Sequence, residues 1–73
     1  MTILAEDFSV RIKKLRLERK MSQQEVGDVI GVKHYSIYSY EKGRTYPDVL
    51  HLMALADFFG VTTDYFLGRS DQR

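Results

Sequence analysis

Cysteine is absent from the 73 residues, so neither a disulfide framework nor a cysteine-ligated zinc site can brace the chain. That absence fits a reducing compartment. No run approaches the ~20 apolar residues of a membrane span, and the opening MTILAEDFSV carries acids where a secretory leader carries a basic start. The expectation is a soluble, cytoplasmic protein without membrane association. Histidine occurs only at His34 and His51, on different expected helices, and no metal-spaced or nucleophile–base set accompanies them. Neither catalysis nor a metal or other cofactor is therefore expected, and His51 reads as a plain exposed residue.

Charge of one sign is also nearly lacking, since the net is only +1, which argues against a nonspecific polyanion binder. Its distribution is uneven. Residues 11–44 hold nine Lys or Arg against four Asp or Glu, a net +5, and the rest of the chain holds two against six, a net −4. Such polarity suits a module that turns its first half toward phosphates. At this length folding buries roughly 60% of the unfolded surface, so 1–73 is one domain whose core must be compact. Order is expected over about 7–68, with a frayed polar tail at 69–73.

What is present reads as five short helices. Phe8, Ile12 and Leu15 recur at helical spacing and give a first helix from roughly Asp7 to Arg19. In SQQE, Ser22 and Glu25 form a capping box that opens a second helix with Val26, Val29 and Ile30 on its buried side. Gly31 stops it and Val32 plugs the turn. KHYSIYSYEK forms a third helix anchored by Ile37 and Tyr40 and ended by Gly43. The single proline, Pro47, fits the first turn of a fourth helix beside Asp48. This helix runs to about Phe59 with Val49, Leu52, Leu55, Ala56 and Phe59 as its core face. Gly60, the plug Val61 and the cap Thr62 lead into TDYFL, a last short helix ended by Gly68.

Two short helices joined by a tight glycine-containing turn let the second lie in a DNA major groove while the first crosses the phosphates. The series SQQEV, IGV, SIYSYEKGR and YPDVLHLMALADFFGVTTDYFLG resembles the phage repressor and Cro helix-turn-helix family, in particular small regulators of Gram-positive bacteria and their phages. The resemblance covers roughly Phe8 to Gly68. It implies an all-α, five-helix fold like that of lambda repressor, a transcriptional regulator that binds double-stranded DNA as a homodimer, and recognition through the third helix. Position by position, Gln23 matches a phosphate-contacting glutamine, a role suited to an amide at a helix N-terminus. His34, Tyr35 and Ser39 match base-reading positions, flanked by Lys33 and Tyr38, and each can hydrogen-bond a base edge or pack on a thymine methyl. Arg44 and Tyr46 match a loop that meets the backbone, with Lys42 and Lys33 as further phosphate contacts. Of the cluster Arg11, Lys13, Lys14, Arg19 and Lys20, some members are expected to act only through long-range attraction.

The resemblance further implies an ion pair between Arg16 and Glu41 that links the first and third helices. It also places a dimer interface near the last helix, with Phe58, Phe66 and Leu67 as apolar contributors. Three positions depart from the family pattern. Lys33 replaces a hydroxyl cap, Lys20 stands where glycine often ends the first helix, and Gly27 replaces an alanine at up to ~1 kcal/mol of helix propensity. A competing reading is a protein-interaction module, antitoxin-like or bound by an anti-repressor, that uses Val10, Leu17, Leu50, Met53 and Phe58 as an apolar surface.

Overall fold

The computed structural model describes the backbone of residues 5–73 and side chains from Asp7 onward. Residues 1–4, part of the MTILAEDFSV opening, lie outside the described residues. Five helices follow in order: α1 Ala5–Glu18, α2 Gln23–Ile30, α3 His34–Glu41, α4 Val49–Phe59 and α5 Thr63–Phe66. Among the described residues there is no strand, and no helix is long and apolar enough to cross a membrane.

Three of the starts have a local cause. Ser22 accepts from the Glu25 N–H while Glu25 accepts from the Ser22 N–H, so the capping box of α2 is closed. Asp48 caps α4 by accepting from the His51 N–H, and Thr62 caps α5 by accepting from the Tyr65 N–H. Pro47 thus precedes the cap and is not inside the first turn. His51 is tied to that cap as well, with its Nδ1 3.1 Å from Asp48 Oδ1, and is half-buried, not plainly exposed. Lys33, the N-cap of α3, provides no side-chain bond.

The stops share one device. After α1 the Met21 N–H reaches the Arg16 carbonyl and the Lys20 N–H reaches that of Leu17, which is the Schellman pattern. It requires a left-handed residue, here Lys20 at φ 56°, the one non-glycine among the described residues with positive φ. The same stop after α2 uses Gly31 at φ 81°, and the turn it creates brings Val32 and Lys33 back over Gly27. A Cβ on Gly27 would lie 2.6 Å from the Val32 carbonyl oxygen, so alanine does not fit there without movement. The closeness of turn to helix accounts for this glycine.

The buried cluster comprises Phe8, Ile12 and Leu15 of α1, Val26 and Ile30 of α2, Ile37 and Tyr40 of α3, Leu55, Ala56 and Phe59 of α4, and Tyr65 and Phe66 of α5. Three expected members are outside it, of which Leu52 is partly buried and packs against it. Val29 and Val49 are 48% and 71% exposed, because each falls beside, not on, the stripe its helix presents to the core. The tail is not free either. Arg11 Nη1 donates to the Tyr65 and Ser70 carbonyls, Arg11 Nη2 to Asp71, and Arg73 pairs with Glu18, which lays residues 69–73 along α1.

Candidate nucleic-acid interface

The tightest part of the site is a carboxylate shared by three elements. Arg16 Nε lies 2.6 Å from Glu41 Oε2 and Arg16 Nη2 lies 2.9 Å from Oε1, a bidentate pair between α1 and α3. Both side chains are nearly enclosed, 11% and 5% exposed. Arg16 Nη1 also donates to the Met21 carbonyl, so the pair pins the α1–α2 turn as well. The hydrogen bond to Glu41 pushes the Arg16 guanidinium above its ordinary value. Gln23, the first residue of α2, donates its Nε2 to Glu41 Oε1 at 3.2 Å. Spacing in the sequence gave no sign of this last contact, since 18 residues separate the partners.

Around this anchor, α3 buries Ile37 and Tyr40 and turns His34, Tyr35 and Tyr38 outward. Tyr40 stacks edge-on against Phe8, and burial, reinforced by the Asp48 carboxylate, pushes its hydroxyl above its ordinary value. On the outer side His34, Tyr35 and Tyr38 are exposed and Ser39 is half-buried. His34 and Tyr35 meet edge to face with centroids 5.8 Å apart. Cations surround them. Lys33 Nζ stands 5.9 Å from the Tyr35 ring, while Lys42 Nζ and the Arg44 guanidinium stand 5.5 and 5.8 Å from that of Tyr38. Arg44 is held where α3 ends, its N–H on the Ser39 carbonyl, and exposed Tyr46 tilts toward Phe8. With no acid in its first turn and no side-chain hydrogen bond from its N-cap Lys33, α3 presents an open, positive N-terminus on the same side.

Some expected members are elsewhere. Arg11 is taken up by the tail, and Arg19 folds over Phe58 and Phe59 at 5.0 and 5.2 Å and donates to the Phe58 carbonyl. Phe66 is removed from any interface by its position. It is fully buried between Phe8 and Phe59, because the single turn of α5 rolls this ring into the core. Phe58 and Leu67 are half-buried, whereas Val10, Leu17, Leu50 and Met53 are exposed.

The Helix-turn-helix family profile matches residues 12–66, which span α2, the turn and α3 with their supporting helices. The chain belongs to the helix-turn-helix family. The SPbeta prophage-derived HTH-type transcriptional regulator YonR of Bacillus subtilis (strain 168) is 37% identical over 60 residues, 82% of this chain and 56% of YonR. The cryptic phage CTXphi transcriptional repressor RstR of Vibrio cholerae is 43% identical over 54 residues, 74% of this chain and 49% of RstR. This helix-turn-helix chain thus spans about half the length of the curated relatives it matches. Among solved structures, the P22 c2 repressor in complex with synthetic operator 9T superposes with a TM-score of 0.82 at 28% identity, covering 86% of this chain and 96% of the repressor chain. The all-α, five-helix architecture is therefore that of a phage repressor.

Proposed function

We propose that this helix-turn-helix chain binds double-stranded DNA sequence-specifically and regulates transcription, as a repressor that occludes a two-fold symmetric operator. The carrying observation is the outer face of α3, where His34, Tyr35 and Ser39 stand among Lys33, Lys42 and Arg44 beside an uncapped helix N-terminus. In this reading those three side chains read base edges with Tyr38, while Gln23, Lys33, Lys42, Arg44 and Tyr46 hold the backbone. The operator in the P22 c2 structure and the repressor activity in the name of RstR support it. The action is occupancy in the cytoplasm, with no cofactor and no catalysis.

A domain this small covers one half-site, so two copies spaced about one helical turn, ~34 Å, bind together. With Phe66 withdrawn, the dimer surface falls to Phe58, Leu67 and the exposed Leu50 and Met53 of α4, of which Leu50 and Phe58 lie on one four-residue stripe. Selection of bound oligonucleotides from a random pool, followed by salt titration on the selected and random duplexes, tests the proposal. A palindromic site with excess affinity over random DNA and a steep salt dependence is expected. Binding without sequence preference, or none, would overturn it and leave a protein partner such as an anti-repressor or toxin as the ligand of the apolar surface.

A further inference from the structure

The contact between Gln23 and Glu41 assigns a second task to the buried ion pair. Only the NH2 end of an amide can face a carboxylate, so the bond to Glu41 Oε1 fixes which way the Gln23 amide is turned. One N–H is thereby occupied. The other finds no acceptor among the described residues, and Gln23 is only half-buried. A bare carboxylate at this place would repel a phosphate, but both Glu41 oxygens are engaged by Arg16, which offsets that charge where the two are nearly enclosed. The arrangement is therefore a neutralised acceptor that holds a neutral donor at the first position of a helix.

We infer that Glu41 is a positioning residue for DNA binding: it pre-orders the Gln23 side chain so that the second amide N–H is presented to a backbone phosphate oxygen. This deepens, and rests on, the DNA-binding reading above. Ordering before contact matters because a free glutamine loses its rotamer freedom on binding, and that loss is removed in advance when the free protein already holds the side chain. Glu41, inside the molecule, acts on the duplex only through its neighbour.

A double-substitution cycle on duplex affinity, with folding of each variant followed by circular dichroism, separates positioning from stability. Gln23→Ala in the otherwise unaltered chain weakens binding to selected and random duplexes alike by about 3- to 10-fold, the range set by ordering one such side chain. In a Glu41→Ala background, measured at a temperature where that variant is folded, the same change costs less than about twofold, since the amide is already loose. Equal losses in the two backgrounds, or no loss from Gln23→Ala, would overturn the inference while leaving DNA binding intact. A wild-type chain that binds no duplex would overturn both. Should Glu41→Ala not fold, nuclear magnetic resonance of the wild-type protein decides. The Gln23 side-chain amide protons exchange with water about fivefold more slowly than those of exposed Gln24, the factor expected from one hydrogen bond. Matching exchange of the two glutamines would overturn the positioning role.

Discussion

Gly27 sets two effects of opposite sign against each other. Alanine in a helix gains up to ~1 kcal/mol of propensity over glycine, but the added Cβ would stand 2.6 Å from the Val32 carbonyl oxygen. That oxygen belongs to the backbone of the turn between α2 and α3 and cannot swing aside as a flexible side chain can. Overpacking of this kind costs about 1–3 kcal/mol, so the clash wins. Gly27→Ala is expected to lower stability by about 1 kcal/mol in urea denaturation, and a neutral or stabilising result would show that the turn yields. At Arg16 and Glu41 no such balance exists. Removing either partner strands the other charge in a nearly enclosed position, at a cost of roughly 3–5 kcal/mol, a large share of a small domain's stability. Arg16→Ala and Glu41→Ala should each melt far below the wild type, and losses under ~1 kcal/mol would mean that the pair is solvated.

The helices are specified mostly by short-range chemistry, which is why so much of the element order was legible. The caps Ser22 and Thr62 and the glycine stops act within a few residues, so a linear reading finds them, whereas reading Pro47 into the first turn of α4 hides the Asp48 cap. Facing is a different matter. Val29 and Val49 are apolar at helical spacing, yet which flank of a short helix meets the core depends on the angle at which the helix is laid down, and both point to solvent. Phe66 illustrates the converse: one turn of helix has no periodicity to read, and its ring is buried against α1 and α4. The site shows the same division. The resemblance singles out His34, Tyr35 and Ser39 by position along one helix, whereas the bond from Gln23 to Glu41 needs two helices already packed. The capping box also gives stability a pH dependence. Bonds from the Ser22 backbone N–H and then its hydroxyl hold the Glu25 carboxyl below its ordinary 4.5, so its stabilisation is present above that value and is lost as pH falls through the lower, folded one. Glu18 behaves likewise through its bond from Arg73. Glu25→Gln keeps an oxygen for the box but removes the titration. Thermal melts from pH 7 to pH 3 should show a shallower acid limb in this variant, and an unchanged limb would exclude the cap as its source.

At the scale of the whole molecule, a nearly neutral chain has to direct its charge. The net +5 over residues 11–44 is in part consumed internally, because Arg11 binds the tail, Arg16 binds Glu41 and Arg19 covers Phe58. What remains around α3, namely Lys33, Lys42 and Arg44, is concentrated on the face that carries the exposed His34 and Tyr35. The central claim is that this face separates reading from holding. Affinity for a selected operator and for random duplex, measured at several salt concentrations with His34→Ala, Tyr35→Ala and Arg44→Ala, tests it most directly. Tyr35→Ala and His34→Ala should each cost about 1–3 kcal/mol on the selected site, relax preference at one or two base pairs and leave random binding nearly unchanged. Arg44→Ala should weaken all DNA by a similar factor and lower the salt slope by about one unit. Sequence preference that survives both substitutions on α3 would contradict the account, for α3 would then not be the reader.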